Sequence, residues 1–193
     1  MGQRARSIAA KESRRAAIVQ AARRCFEEAE YDALTMADIA QRAGLAKGTL
    51  FLYFPTKEAL FLEVLDELLH QWLAALHEAV LQDDKPWPSA RLARILADSL
   101  AEQPVLARLL PVGSHVLEQN VAPERAAQFR HRLMRRFFGT GALIEQRLGL
   151  SRAGDGVQLL LFAHAMIVGL RPSGAPEDLR TALTVLFNGF HRR

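Results

Sequence analysis

The side chains with the clearest chemistry lie in the run KGTLFLYF, residues 47–54. Thr49 and Tyr53 are four residues apart, so on a helix they share one face and offer two hydroxyl groups there. Lys47 comes at the start of the run, where a positive charge opposes the helix dipole and is stabilised by an external anion. Hydroxyl and ammonium groups are the side-chain groups that bind the phosphates and base edges of nucleic acids. We therefore interpret this run as a candidate nucleic-acid contact.

Local start and stop signals place the run on the second of two short helices. Thr35, followed three residues later by Asp38, predicts a capped helix over residues 36–42. Gly44 predicts the sharp turn after it, and Pro55 ends the next helix, over residues 47–53. Two short helices joined by RAGLAKG fit a helix-turn-helix, in which the second helix enters the DNA major groove.

Three more residues join the candidate contacts because of their positions in these turns. Gly48 lets the backbone come close to a phosphate or to the preceding helix. Thr35 and Lys57 lie at helix starts, where backbone N–H groups favour anions. Taken singly, Lys47 and Lys57 are equally well explained as ordinary surface lysines. The interpretation therefore depends on all these residues occurring together.

Positive charge is concentrated at the start of the chain. The first 24 residues contain seven Arg or Lys and one Glu, a net charge of +6, whereas the whole chain of 193 residues carries +4. A basic patch at one end is typical of nucleic-acid binding, with an anionic lipid surface as the weaker alternative. We expect residues 1–12 to form a disordered arm and Ser13 to cap a first helix that ends near residue 28.

The composition predicts an all-α protein, because half of the residues are apolar and only 12 are Gly. Helical patterns cover residues 57–82, 89–102, 104–119, 123–148, 157–170 and 177–190, and DDKPWPS is the clearest linker. The apolar run over residues 159–170 is shorter than the roughly 20 residues of a membrane-spanning helix, so we expect a cytoplasmic protein. The single Cys25 is interpreted as a buried thiol. No motif suggests a metal, a cofactor or catalysis, so we expect none of the three.

The run TMADIAQRAGLAKGTLFLYFPTKEAL, residues 35–60, resembles the signature of the TetR family of transcriptional repressors. The resemblance extends over residues 12–60. It implies a homodimer with an N-terminal DNA-binding head and a C-terminal helical body that binds a small molecule. Two departures are Ala46, where the family most often has a capping Ser or Thr, and Phe51, where Tyr is commonest. The DNA contacts that the resemblance implies are Thr35, Lys47, Thr49, Tyr53 and Lys57, with Gly44 and Gly48 shaping the turn.

The body contains candidates for two further surfaces. The arginines of RHRLMRR, residues 130–136, are interpreted as a solvated face or, where one points inward, as a contact for an acidic effector. Candidates for an effector pocket, although most such residues belong to a core, are Trp72, Leu109, His115, Phe129, Met134, Phe138, His164 and Met166. The last two helices are apolar around much of their circumference, which predicts a two-fold dimer interface through Leu159, Phe162, Leu183, Leu186, Phe187 and Phe190.

These observations divide the chain into a DNA-binding head, residues 1–58, and an effector-binding and dimerisation domain, residues 59–193. The expected function is that of a DNA-binding transcriptional regulator, a repressor released from a palindromic operator by a small-molecule effector. The alternative is an α-helical ligand-binding or protein-interaction module without sequence-specific DNA binding. Salt distinguishes the two, because phosphate contacts make affinity fall steeply as salt rises.

Overall fold

A computed structural model describes the backbone of residues 2–82, 85–170 and 176–190, and the side chains of these residues except 2–7, 114, 115 and 176. The described chain is helical without strands, which confirms the all-α prediction. The first half contains α1 (Gly2–Glu28), a 3₁₀ turn (Tyr31–Ala33), α2 (Met36–Arg42), α3 (Lys47–Tyr53) and α4 (Lys57–Leu81). The second half contains α5 (Ser89–Ala101), α6 (Pro104–Val112), a π-helical turn (Gly113–Leu117), α7 (Pro123–Leu148), α8 (Asp155–Leu170) and α9 (Pro176–Phe190).

Helices α1 to α3 pack on the start of α4 around one group of fully buried side chains. Ile18 of α1, Ile39 of α2 and Leu50 of α3 have no exposed surface. The Phe61 ring, on α4, meets Phe26 and Tyr31 edge-on, with ring centroids 5.8 and 5.2 Å apart. These contacts hold the short helices in place, since helices of seven residues are unstable alone.

The start of the chain differs from the prediction. Helix α1 begins at Gly2, so Ser13 lies inside it rather than at its cap, and residues 2–12 are helical rather than a disordered arm. Residues 3–12 contain no Gly or Pro, so a helix established by the buried face of α1 can extend backward to Gly2. Cys25 is buried as expected, and burial raises the pKa of its thiol.

Helix α4 runs from the head into the body, where it packs against α7 through a charged cluster. The Asp66 carboxylate, 9% exposed, accepts bonds of 2.7 Å from both Arg132 Nε and Arg136 Nη1. The inward arginines of the basic run therefore pair with an acid of the protein itself. Arg130 pairs with Glu118 at 3.0 Å. Contact of one of these arginines with an acidic effector stays a prediction.

Helices α7 and α8 approach so closely that only glycine fits at their crossing. A Cβ atom on Gly156 would lie 2.1 Å from the carbonyl oxygen of Gly141. Helix α9 then covers α5, with Arg180 of α9 bound to Asp98 of α5. None of the described helices combines the length and the apolarity needed to cross a bilayer.

The predicted linker is attached to the body rather than free. Trp87 is 4% exposed, and its backbone N–H donates to the Arg147 carbonyl at the end of α7 over 2.6 Å. The Arg91 guanidinium lies 4.5 Å from the centre of the Trp87 ring. Residues 83 and 84 of the same segment lie outside the described part.

Candidate nucleic-acid interface and the body behind it

The start of α2 is closed by the predicted capping box. The Thr35 hydroxyl donates to Asp38 Oδ2 over 2.6 Å and accepts from the Asp38 backbone N–H over 3.3 Å. These bonds to the carboxylate lower the pKa of Asp38. The Thr35 hydroxyl is thus already engaged in the cap. The structure therefore shows Thr35 as a helix cap, and its contact with a phosphate stays a prediction.

The turn between α2 and α3 has the conformation that its sequence predicts. Gly44 has a φ of +66°, a left-handed conformation that a residue with a side chain rarely adopts. The Leu45 N–H then donates to the Ala40 carbonyl over 2.9 Å and closes the end of α2. Ala46 precedes α3 without a side-chain cap, so α3 depends on its buried residues for stability.

The side chains of α3 divide into a buried face and an outer face. Leu50, together with Phe54 just after the helix, is fully buried, and Thr49 and Tyr53 are half-buried at the edge. We call the exposed set Lys47, Gly48, Phe51 and Leu52 the outer face of α3. The space around Gly48 is open, with no heavy atom within 4 Å of where a Cβ would be. Four predicted contacts, Lys47, Gly48, Thr49 and Tyr53, therefore lie together on or beside this face.

Two members of the outer face were not predicted as contacts. Leu52 is 82% exposed and Phe51 is 40% exposed, although both are large and apolar. Their sequence positions indicate this exposure. Leu50 lies on the core side of the seven-residue helix, so the next two residues face away from the core.

Lys57 has a different role from the predicted one. Its ammonium donates to the carbonyls of Tyr31 and Leu34 over 2.9 and 3.1 Å. It also lies 4.1 Å from the centre of the Tyr31 ring. Two of its three donors are therefore used within the protein, joining the 3₁₀ turn to the start of α4. The structure supports Lys57 as a positioning residue for the head, and its contact with a phosphate stays a prediction.

Several arginines of the head are paired, so the free positive charge is smaller than the sequence suggests. Arg15 contacts Glu63 at 2.9 Å and lies 4.4 Å from the centre of the Phe54 ring. Arg42 binds Glu28 through both guanidinium nitrogens, and this bond lowers the pKa of the Glu28 carboxyl. Among the side chains of α1 that the structure describes, the exposed cations are Lys11, Arg14 and Arg24.

One arginine of the body reaches back to the head. Arg108 of α6 donates over 3.1 Å to the Ala29 carbonyl, just beyond the end of α1, and over the same distance to Glu30. Its guanidinium lies 4.6 Å from the centre of the Phe26 ring, inside the head core. Sequence reasoning missed this link because a lone arginine on an apolar helix has no pattern that names its partner.

The predicted effector residues are spread over the body instead of lining one pocket. Leu109 and Phe129 are core residues, Met134 and Met166 are half-buried, and Phe138 is 61% exposed. The His115 side chain lies outside the described residues. Of the eight, Trp72 and His164 border a common cavity. Five of the others do not border this cavity, because helical spacing alone does not separate core, surface and cavity positions.

The cavity that Trp72 and His164 share lies between α4, α5, α7 and α8 and measures about 10 Å³. It admits one water at most and is too small for an organic ligand. The Trp72 indole donates to Ser99 Oγ over 2.9 Å. Burial lowers the pKa of His164, whose ring meets Phe137 edge-on at 6.2 Å. The lining is completed by Leu69, Leu73, Leu96, Leu160, Ala163 and Ile167.

Helices α8 and α9 expose apolar residues, but not all of those predicted. Leu159, Leu183 and Phe187 have no exposed surface, and Phe190 has 4%, so they belong to the core of the monomer. Phe162 is 40% exposed and Leu186 is half-buried. We call the exposed set Leu161, Phe162, Ala165 and Val185 the α8–α9 stripe.

Comparison with known proteins supports what the geometry of the head suggests. A family model described as "Bacterial regulatory proteins, tetR family" matches residues 18–64. A second, described as "Tetracyclin repressor-like, C-terminal domain", matches residues 66–188. Together they cover the helix-turn-helix and nearly all of the helical body. The chain belongs to the TetR family, whose members are transcription regulators with a helix-turn-helix.

Among the relatives is the regulator RutR of Escherichia coli K12, 39% identical over 85 residues. That alignment covers 44% of this chain and 38% of RutR, so it spans well under half of that protein. EthR of Mycolicibacterium smegmatis is 28% identical over 187 residues, covering 90% of this chain and 83% of EthR.

Solved structures share the fold over nearly the whole chain. A TetR-family regulator from Mesorhizobium loti matches with a TM-score of 0.66 and 22% identity, covering 94% of this chain and 96% of that one. FadR of Bacillus subtilis, solved in complex with stearoyl-CoA, matches with a TM-score of 0.56 and 15% identity, covering 89% and 96%.

Proposed function

We propose that this protein is a cytoplasmic, non-enzymatic repressor that binds a palindromic operator as a homodimer and leaves it when a small molecule binds. The observation that carries the proposal is the outer face of α3, exposed beyond a helix-turn-helix that matches the family model over residues 18–64. In this proposal residues 1–58 are the DNA-binding head and residues 59–193 the effector-binding and dimerisation domain.

DNA contact is assigned to Lys47, Thr49 and Tyr53, with Gly48 allowing close approach. Lys47 is exposed, and Thr49 and Tyr53 lie at the edge of the outer face. An ammonium group and two hydroxyl groups in this arrangement fit phosphate oxygens beside the major groove. Thr35 and Lys57 act indirectly, by holding the starts of α2 and α4 in place.

The second copy of the chain is assigned to the α8–α9 stripe. Its four residues are apolar and project from two helices that pack side by side, a surface that favours a four-helix contact with its own two-fold copy. The small side chains Ala165 and Gly169 on the exposed side of α8 allow close approach of a partner helix. Two heads would then meet two half-sites about one DNA turn apart.

The effector is assigned to the cavity beside Trp72 and His164. Its walls are apolar apart from these two side chains, so they favour an apolar or amphipathic ligand. Since the cavity holds about 10 Å³, binding requires its helices to separate. Leu69, Trp72 and Leu73 belong to α4, which continues into the head, so this separation would shift the head. FadR, which shares the fold, binds a molecule with a long acyl chain.

A selection of duplexes from a random DNA library on the full chain tests the proposal. We expect a palindromic site to be enriched, and its affinity to fall by about 10³-fold or more between 50 and 200 mM salt. Recovery of no common sequence, or an affinity that does not change with salt, would favour the protein-interaction alternative.

A further inference from the structure

Leu52 is the least expected feature of the outer face. It is 82% exposed, the highest value among the exposed large apolar residues of the described chain. Nothing in the fold requires it there, because the core side of α3 is already occupied by Leu50. A leucine exposed to this degree gains nothing from folding, so its apolar character points to something outside the monomer.

The surroundings of Leu52 favour DNA as that partner. Gly48 lies one helical turn before it and leaves the space beside it empty, so a base pair can approach the Leu52 side chain closely. Thr49 and Tyr53 flank it with hydroxyl groups suited to the sugar-phosphate backbone. Leu52 therefore lies on the face of α3 that the proposed function turns toward DNA.

The major groove displays one apolar group, the C5-methyl of thymine. Every other base edge there presents hydrogen-bonding atoms, and a leucine placed against them removes water without replacing its bonds. We propose that Leu52 is a specificity-determining residue that selects thymine in each operator half-site by packing on this methyl group. This inference rests on the proposed DNA-binding function and adds to it the kind of base that α3 selects.

Uracil tests the inference, because it pairs as thymine does and lacks only the methyl group. Operators are first selected from a random library on the full chain, and each thymine is then replaced by uracil in turn. At one thymine per half-site we expect affinity to fall about fourfold, the effect of losing one buried methyl group. Replacement in both half-sites should give a fall of about 15-fold.

The variant Leu52→Ala completes the test by showing whether the loss of affinity for uracil operators depends on Leu52. Because the side chain is mostly exposed, the variant should keep its helix content, and it should bind the thymine and uracil operators equally well. Leu52→Met, which keeps an apolar side chain, should still prefer thymine. Leu81→Ala removes a leucine that is 49% exposed at the far end of α4 and should behave as the unmodified chain.

Two results would overturn the inference while leaving DNA binding intact. One is a Leu52→Ala variant that discriminates thymine from uracil as strongly as the unmodified chain. The other is an operator in which no thymine responds to uracil. Failure of the proposed function is recognised earlier, because the selection would then enrich no sequence, and the inference would fail with it.

Discussion

Among the regions that expose large apolar side chains, α3 and the α8–α9 stripe differ in their surroundings. On α3, Phe51 and Leu52 stand beside Lys47 and two half-buried hydroxyl groups. On α8 and α9, Leu161 and Val185 belong to a stripe of apolar and small residues. An apolar group among polar ones fits the mixed surface of a DNA groove, whereas a set of apolar and small residues fits another copy of itself. The neighbours of an exposed apolar residue therefore indicate its partner better than its own type does.

The largest effect on stability is expected at Phe187, which the sequence predicted for the dimer interface but which lies in the core of the monomer. Phe187→Ala should lower the free energy of unfolding by about 3–5 kcal/mol, because it leaves a cavity in a fully buried site. Val185→Ala, two residues earlier and 69% exposed, should change the free energy of unfolding of the monomer by less than about 0.5 kcal/mol. Urea titration at concentrations where the chain is monomeric measures both. Equal losses would contradict the assignment of Phe187 to the core.

The stripe itself is tested by Val185→Glu combined with Leu161→Glu. Two buried charges per chain should prevent dimerisation, and a monomer should bind the operator about 100-fold more weakly because the two heads no longer bind together. Analytical ultracentrifugation and fluorescence anisotropy measure the two effects. Leu81→Glu, on another exposed leucine, is the matched control. If the double variant remains a dimer, the dimer interface lies on another surface.

On the head, Lys47 and Lys57 should behave differently although both are lysines near helix starts. Lys57→Ala should cost about 1–2 kcal/mol of unfolding free energy, because it removes two bonds to carbonyls. It should leave the slope of log affinity against log salt unchanged. Lys47→Ala should instead leave stability unchanged and reduce that slope by about 0.9 for each head bound to DNA. The opposite pattern would restore Lys57 as the phosphate contact.

The smallest expected effect is a dependence of stability on pH, which differs between the body and the head. Burial lowers the pKa of His164, so the unfolded chain binds more protons than the folded one just below the unfolded pKa of about 6.5. Stability should therefore fall as pH drops below that value, and His164→Leu should remove this part of the loss. In the head, Asp38 and Glu28 have lowered pKa values, so their contribution is present above the ordinary carboxyl pKa and is lost as pH falls from that value through the lowered one. Thermal unfolding of the unmodified chain and of the His164→Leu variant between pH 7 and 5 measures this loss of stability. Melting temperatures that fall in parallel for the two chains would contradict the role of His164.

Most of the head was predictable because its signals are local. The Thr35–Asp38 box, the left-handed Gly44 and the stop at Pro55 each act within four residues, so residue order alone was enough to locate α2 and α3. The same reasoning missed bonds that a side chain makes to partners across the fold. Lys57 has ordinary surface spacing, yet its bonds go to carbonyls more than 20 residues away in the chain.

The amino-acid sequence by itself determined the all-α class, the helix-turn-helix, most helix boundaries and the family, because caps, breakers and periodicity are properties of neighbouring residues. Only the tertiary structure decided which apolar residues of α8 and α9 face inward. It also decided that Asp66 takes two arginines of α7 and that Arg108 joins α6 to the end of α1. Leu183 and Val185 are only two residues apart, yet one is fully buried and the other 69% exposed. The physical reason is that the sequence of a helix that is apolar on several sides shows that it must be buried, but not which side faces which neighbouring helix. The packing of helices that are distant in the chain decides which side faces the core.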